Sequence, residues 1–215
     1  SVGTISIPIL FLGWFDKNKI LTGKLIRIWA RWVIWATGIN YEIFGLGDIQ
    51  QDKQYIFMCN HESALDILFS IACLPCNLVF LAKKELFRIP VFGWAMVAAG
   101  SIKIDRKNPE RAKKSVDNAV ETFKGSTFST IIYPEGTRSK TGELLPFKKG
   151  GFILAIRSKL PLVPVTILGT GNILPKGSFI FNKGHIKVMI SEPIDTLNMA
   201  VEDKDKLLRR CQEAI

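Results

Sequence analysis

The sequence predicts an α/β fold: a mixed, largely parallel sheet of about seven strands flanked by helices. Short apolar stretches rich in β-branched residues recur along the chain, and helical stretches fill most of the intervals between them. Asn108-Pro109-Glu110 is a well-formed helix start, with Asn as the cap and Pro in the first turn. Repeated alternation of strand and helix is typical of parallel sheets covered by helices.

The α/β domain is predicted to run from residue 39 to residue 215. Its strands are predicted at 41–46, 55–59, 77–82, 101–105, 129–133, 162–168 and 185–191. Its helices are predicted at 64–74, 91–99, 109–124, 149–158 and 202–214. In open sheets of this kind, ligands bind outside the carboxyl ends of the strands. Residues that directly follow strands are therefore the first candidates for a functional site.

Residues 1–38 differ from the rest because they are apolar, aromatic and basic. Lys24, Arg27 and Arg31 recur at helical spacing, and three of the five tryptophans fall within seven residues. Tryptophan prefers the membrane–water boundary, where basic side chains extend toward lipid headgroups. We predict an amphipathic helical membrane-docking region that lies in the interface rather than spanning the membrane. The alternative is a helical pair packed on the domain's own core.

The composition points to an anionic partner. Lysine and arginine number 29 against 19 acidic residues, a formal charge of +10. Nucleic acid, anionic lipid and a phosphorylated substrate all fit such an excess. Binding of single-stranded nucleic acid is disfavoured because residues 103–114 carry no aromatic side chains among their basic ones, and no nucleic-acid partner is expected. Cys73 and Cys76 have the spacing of a zinc knuckle without a second pair, so we expect buried thiols and no metal.

The strongest candidate for chemistry is the segment Asn60-His61-Glu62-Ser63-Ala64-Leu65-Asp66, which follows a predicted strand. An imidazole transfers protons near neutral pH, and Asp66 in the first turn of the next helix could hold its ring. The alternative is a capping box, with Ser63 as the N-cap and Asp66 bonding back to its amide. Ser63 as a nucleophile is disfavoured, since it is awkwardly placed on the same tight turn.

A second candidate is the turn Tyr133-Pro134-Glu135-Gly136-Thr137-Arg138-Ser139, which also follows a strand. Pro134 and Gly136 fit a type I turn. Backbone amides, hydroxyls and an arginine together present donors to a phosphate. The alternative is an ordinary polar turn with an ion-paired surface arginine.

Two further segments carry basic residues. In Gly100-Ser101-Ile102-Lys103-Ile104-Asp105-Arg106, the strand alternation exposes Lys103 on one face, and Arg106 falls at the strand end. Lys103 either meets an anion under the helices or lies in water on an edge strand. Phe147-Lys148-Lys149-Gly150-Gly151 precedes a helix and is either an anion site or solvated charge.

In their order along the chain, the blocks Asn-His-x4-Asp, Gly-x5-Arg, Pro-Glu-Gly-Thr-Arg-Ser and Val-Pro-Val resemble the glycerophospholipid acyltransferase family. They span residues 60–165. Within the family the likeness is greatest to the bacterial 1-acylglycerol-3-phosphate acyltransferases. Residues 1–38 are similar in character, though not in sequence, to the membrane-docking helices of bacterial members.

The resemblance implies a role for each matching residue. His61 looks like the general base that deprotonates a glycerol hydroxyl, and Asp66 looks like its orienting partner. The residues similar to those that hold the glycerol phosphate and complete the acceptor site are Lys103, Arg106, Glu135, Gly136, Thr137 and Arg138. An acyl chain requires an apolar pocket, for which Trp94, Met96 and Val97 are candidates; the same stretch could equally be a core helix.

The resemblance also implies a reaction. An acyl chain would pass from acyl-CoA or acyl carrier protein to 1-acylglycerol 3-phosphate (lysophosphatidic acid), giving phosphatidic acid without a covalent acyl-enzyme. No cofactor or metal is expected, because the thioester is already activated. The implied location is an anionic phospholipid surface at the cytoplasmic face of the inner membrane. An acyltransferase for another lyso-lipid or a glycolipid, and a non-catalytic basic membrane-binding module, are the alternatives.

Overall fold

The computed structural model describes residues 2–105, 108–178 and 180–215. Within these ranges the strands are β1 (Asn40–Phe44), β2 (Ile56–Cys59), β3 (Leu78–Lys83), β4 (Ile102–Ile104), β5 (Ser129–Ile132), β6 (Leu162–Leu168) and β7 (His185–Ile190). The α-helices are α1 (Val2–Gly13), α2 (Ile20–Thr37), α3 (Leu65–Cys73), α4 (Phe92–Ala98), α5 (Pro109–Phe123), α6 (Gly150–Ser158), α7 (Thr170–Ile173) and α8 (Lys204–Glu213).

The strands form one sheet in the order β1-β7-β6-β2-β5-β3-β4. Neighbouring strands run parallel, except for the antiparallel pair β6 and β7. The predicted fold class, a mixed and largely parallel seven-stranded sheet flanked by helices, is confirmed. Strands β2 and β5 are adjacent and parallel, so the predicted site segments that follow them emerge side by side at the carboxyl end of the sheet.

Alternation along the strands produces two apolar cores, one on each face of the sheet. In β2, Phe57 and Cys59 face the core shared with α2 and α3, whereas Ile56 and Met58 face the core shared with α5, α6 and α8. All four side chains are fully buried. A strand buried on both faces reads as a continuous apolar run, as this one does.

Helix α2 packs on the domain and buries Ala30 and Ile34 in the first of these cores. The prediction that Arg27 and Arg31 extend toward lipid headgroups is wrong. Arg27 donates to the carbonyls of Ile71 and Cys76, and Arg31 donates to Ala72 O at 3.1 Å. The last carbonyls of a helix have no intrahelical donor and carry the negative end of its dipole, so two guanidinium groups are well placed there.

Helices α1 and α2, together with the turn between them, expose several large aromatic side chains. Trp14 is 82% exposed, Phe15 80%, Trp35 77% and Phe11 73%. Among the residues described, no helix combines the length and apolarity that crossing a membrane demands.

The predicted helices and strands all exist, with ends that differ by a few residues. In addition, the structure has the short helix α7, which was not predicted because four residues carry too little periodicity to be recognised. This short helix lies directly after β6 and contributes to the site described below.

Candidate active site

His61 and Asp66 form a hydrogen-bonded pair at the carboxyl end of β2. The strand ends at Cys59 and α3 begins at Leu65, so His61 lies in the connecting turn and Asp66 in the first helical turn. The His61 Nδ1 atom lies 2.7 Å from Asp66 Oδ2. Because an ionised carboxylate only accepts hydrogen bonds, Nδ1 carries the proton and Nε2 has a free lone pair. The His61 side chain is 15% exposed, so a substrate can approach it.

Asp66 is fully buried, and both of its carboxylate oxygens accept hydrogen bonds. Oδ2 also accepts from the amides of Glu62 and Ser63, each at 2.8 Å, and Oδ1 accepts from the Thr170 hydroxyl. The predicted bond from Asp66 back to the Ser63 amide is confirmed, and it coexists with the bond to His61.

The prediction of Ser63 as the N-cap is wrong by one residue, because Ala64 occupies the cap position. The Ser63 hydroxyl donates to Leu174 O at 2.7 Å and accepts from the Leu65 amide at 3.2 Å. With its proton donated to a carbonyl, this hydroxyl tethers the turn to the segment after β6.

The turn after β5 holds His61 from three sides. The Tyr133 ring stacks on the imidazole with centroids 4.1 Å apart, and its hydroxyl lies 3.0 Å from Ser70 Oγ. Glu135 Oε1 accepts from the His61 amide at 2.6 Å, and the Ser139 amide donates to His61 O at 2.7 Å. The ring and both main-chain polar groups of His61 are therefore fixed by one turn.

Two titratable groups around the pair are shifted by burial. The pKa of Tyr133 is raised well above 10, chiefly by burial, so its phenol is neutral near pH 7. Burial, with the charge of Asp66 as a smaller cause, raises the pKa of Glu62 above its ordinary value. The ring that stacks on His61 is therefore neutral, and ionisation of Glu62 beside Asp66 is less favourable than in water.

The predicted hydrogen-bonded turn at 133–136 is confirmed, since the Gly136 amide donates to Tyr133 O at 3.0 Å. Gly136 has φ +72°, and a Cβ there would lie 2.7 Å from Lys148 Nζ. Glycine thus permits both the left-handed backbone and the close passage of a lysine ammonium. Lys148 belongs to the segment that was predicted to be either an anion site or solvated charge before a helix.

The predicted acceptor-site residues of this turn have different surroundings. Both Glu135 carboxylate oxygens accept backbone amides, from His61 and from Leu145 at 3.0 Å, so its observed contacts position the turn. Thr137 is exposed, and its hydroxyl lies 3.3 Å from Lys176 Nζ. In the described part of the chain, no hydrogen-bond or ion-pair partner lies within reach of the Arg138 guanidinium. Arg138 thus differs from the ion-paired surface arginine that was its alternative.

The other predicted acceptor residues lie near β4, at the edge of the sheet. Lys103 is exposed, with its ammonium 5.1 Å from the centre of the Phe87 ring, which agrees with the edge-strand alternative and not with a lysine buried under helices. Arg106 lies outside the described residues.

Two apolar pockets flank these elements. One, of ≈ 190 Å³, lies between α5, α6 and the ends of β3–β5. Its lining consists of Leu81, Ile104, Ala112, Val116, Ile132, Tyr133, Pro134, Gly136, Lys148, Gly150, Gly151 and Leu154. The second, of ≈ 590 Å³, lies between α1 and α4 and includes Trp94 and Val97. Met96 is half-buried on another side of α4, outside that lining.

Within residues 2–105, 108–178 and 180–215, no three His, Cys, Asp or Glu side chains cluster in a way that could hold a metal. Cys73 and Cys76 are buried, and burial raises the pKa of the Cys73 thiol to about 12. These thiols are therefore protonated and unreactive near neutral pH.

Comparison with known proteins identifies the group to which this site belongs. A family model described as Acyltransferase matches residues 40–168, which contain His61, Asp66 and the 133–139 turn. The chain belongs to the Acyltransferase family. The resemblance drawn from the four sequence blocks is confirmed.

Named relatives of this acyltransferase align with most of its length. A 1-acyl-sn-glycerol-3-phosphate acyltransferase of Limnanthes alba is 38% identical over 204 residues, covering 94% of this chain and 72% of the relative. The enzyme of that name from Saccharomyces cerevisiae is 36% identical over 172 residues, covering 79% of this chain but only 55% of the yeast protein. The crystal structure of the 1-acyl-sn-glycerophosphate (LPA) acyltransferase PlsC from Thermotoga maritima matches with a TM-score of 0.79 at 27% identity, over 96% of this chain and 83% of that one.

Proposed function

We propose that this acyltransferase moves a fatty acyl chain from an acyl thioester to the free hydroxyl of 1-acylglycerol 3-phosphate, forming phosphatidic acid for phospholipid synthesis. The observation that carries the proposal is the His61–Asp66 pair, whose second ring nitrogen is free in a site open at the carboxyl end of the sheet. The choice of substrate is supported by the relatives, which are named for this acceptor.

In the proposed reaction, His61 Nε2 accepts the proton of the glycerol hydroxyl while Nδ1 donates to Asp66. The oxygen attacks the thioester carbonyl, a new C–O bond forms, and the tetrahedral intermediate collapses by breaking the C–S bond. The thiolate leaves and accepts the proton from His61. Because the glycerol oxygen attacks the thioester directly, no acyl-enzyme is formed. A placed general base contributes roughly 10²–10⁴-fold to such a step. Because the thioester is already activated, the proposal needs no cofactor.

The acceptor's phosphate provides the handle that directs its hydroxyl to His61. We assign Arg138 as its main ligand, because its guanidinium has no partner among the described residues, lies in the turn that holds His61 and can bind two oxygens at once. The Thr137 hydroxyl would add a donor beside it, and Gly136 would let the turn pass close to the Lys148 ammonium. Lys103 and Arg106 would supply further positive charge. Glu135 belongs to the same site through its bonds to His61 and Leu145.

We further propose that the exposed apolar side of α1 and α2 docks on an anionic phospholipid surface. Large aromatic groups such as Trp14 and Phe15 are unfavourable in water and favourable in the membrane interface. The adjoining pocket with Trp94 and Val97 opens beside these groups and suits an acyl chain. Location at the cytoplasmic face of the inner membrane stays a prediction, and so does the choice between CoA and carrier protein as donor.

A thiol-release assay with an acyl thioester and 1-acylglycerol 3-phosphate tests the proposed reaction. We expect activity in the wild type, loss in His61→Ala and Asp66→Ala, and no loss in His185→Ala, which removes the chain's other histidine from an exposed site on β7. Wild-type activity that prefers a neutral lyso-lipid would reassign the acceptor. Full activity in His61→Ala would refute the base, and an inactive wild type would favour a binding module.

The same assay tests the phosphate ligand. We expect Arg138→Ala to raise KM for 1-acylglycerol 3-phosphate while leaving KM for the acyl donor unchanged. The matched control is Arg209→Ala, which removes an exposed arginine on α8. An unaltered acceptor KM would exclude Arg138 from the phosphate site.

A further inference from the structure

The segment after β6 reaches the catalytic pair through a threonine. Gly169 has φ +95°, and a Cβ at this position would lie 2.4 Å from His185 O, so only glycine lets the chain turn there. Directly after this turn, Thr170 is fully buried and donates its hydroxyl proton to Asp66 Oδ1. The donor and the carboxylate are 104 residues apart in sequence.

The two oxygens of Asp66 have different sets of donors. Oδ2 accepts from His61 Nδ1 and from the amides of Glu62 and Ser63, all in the local turn. Oδ1 accepts only the Thr170 hydroxyl among the contacts of the described residues. Oδ2 alone would fix one end of the carboxylate and leave the group able to rotate about it. A donor on Oδ1 fixes its plane, and with it the direction in which Oδ2 meets the imidazole.

We propose that Thr170 is a positioning residue of the acyl-transfer reaction, acting through Asp66 to hold His61 in its productive orientation. This inference rests on the proposed function, because it presumes that His61 is the base. Thr170 belongs to a segment that is anchored twice more. The Ser63 hydroxyl donates to Leu174 O, and Lys176 Nζ donates to Arg138 O at 2.7 Å. The segment thus connects the His61 turn with the turn that carries Arg138.

The test compares Thr170→Val, which removes the hydroxyl at nearly constant volume, with Thr170→Ser, which keeps it. We expect Thr170→Val to lower kcat about 10- to 100-fold, by analogy with the loss of a residue that orients a metal-binding side chain, and Thr170→Ser to restore most of it. KM values should change little, because neither substrate contacts Thr170 in the proposed site. The matched control is Thr196→Val, another fully buried threonine, whose hydroxyl donates to Leu160 O instead.

A double variant separates positioning from general structural damage. If Thr170 acts through Asp66, Thr170→Val should lower the residual thiol release of Asp66→Ala by less than about twofold, because the group it orients is gone. A further 10-fold fall would overturn the proposal, as would equal kcat values for Thr170→Val, Thr196→Val and the wild type. If the valine variant does not fold, Thr170→Ala against Thr170→Ser gives the same comparison, and equal activity of those two overturns it. An inactive wild type would instead reject the proposed function.

Discussion

Glu135 fixes the main chain of His61, the proposed base, with its Oε1 atom 2.6 Å from the His61 amide nitrogen. Its Oε2 atom accepts the Leu145 amide, and the residue is only 4% exposed. An acidic residue in the turn that is proposed to bind phosphate thus accepts hydrogen bonds from two backbone donors. Its buried charge is compatible with the site because both oxygens are hydrogen-bonded.

Glu135→Gln should therefore impair folding and catalysis together. Glutamine keeps the size of the side chain but offers one acceptor oxygen, so its NH2 group must face a backbone amide donor. We expect the free energy of unfolding to fall by about 1–3 kcal/mol, with a loss of kcat as His61 shifts. Denaturant unfolding and thiol release measure the two effects. The control is Glu143→Gln, which changes an exposed glutamate in the same loop and should alter neither stability nor activity. Wild-type stability in Glu135→Gln would contradict the assignment.

The stack of Tyr133 on His61 predicts that the ring matters more than its hydroxyl. Tyr133→Phe keeps the ring and loses the bond to Ser70, which should cost about 1 kcal/mol of stability and little activity. Tyr133→Leu loses a ring contact worth about 0.5–1.5 kcal/mol, equivalent to roughly a two- to tenfold fall in kcat if it is expressed in the transition state. Equal kcat values for the two variants would show that the stack does not orient the base.

The raised pKa of Glu62 predicts a pH-dependent stability. Because burial and Asp66 raise it above 4.5, the folded protein binds this proton more tightly than the unfolded chain does. The contribution of Glu62 to stability is present below pH 4.5 and is lost as the pH rises through the folded-state value. Glu62→Gln should hence be more stable than the wild type at pH 7, and the difference should shrink toward pH 4. Unfolding curves at both pH values test this, with exposed Glu121→Gln as the control; a pH-independent difference would contradict it.

Variants at Lys24 and Arg27 should affect membrane binding and folding stability separately. Lys24 is exposed on α2, whereas Arg27 donates to carbonyls at the end of α3. We expect Lys24→Gln to weaken binding to anionic vesicles without loss of stability, and Arg27→Gln to lower the free energy of unfolding by about 1–2 kcal/mol. Vesicle co-sedimentation and thermal unfolding measure the two properties. Stability loss in Lys24→Gln, or none in Arg27→Gln, would contradict the structural assignment.

The aromatic groups of the docking surface call for a separate measurement. Trp14→Gln and Phe15→Gln should each reduce co-sedimentation with anionic vesicles, because they remove apolar area that enters the interface. The matched control is Phe181→Gln, which removes a ring that is 52% exposed elsewhere in the chain. Equal losses in all three variants would show that the surface of α1 and α2 has no special role.

The sequence allowed the His61–Asp66 pair to be predicted because its two residues are local and follow a recognisable strand. It also allowed the sheet to be predicted, since strands buried on both faces are continuous apolar runs. Thr170 could not be predicted in the same way, because its partner is distant and α7 is too short to recognise. Arg27 and Arg31 were assigned to the wrong surroundings because helical spacing gives a shared face but not what that face contacts.

His61 and Asp66 are far in sequence from the residues that support them, and this affects the order in which their contacts form during folding. His61 and Asp66 are five residues apart, but Glu135 and Thr170 join them from 74 and 104 residues later in the chain. During synthesis, the histidine and aspartate emerge long before the strands that deliver their supports, and such non-local contacts form late because closing the loops is slow. A ribosome-bound chain that has not yet completed β6 thus contains His61 and Asp66 but lacks the Thr170 hydroxyl that binds the Asp66 carboxylate. We therefore expect the arrangement of these four residues to be completed only after β6 has joined the sheet.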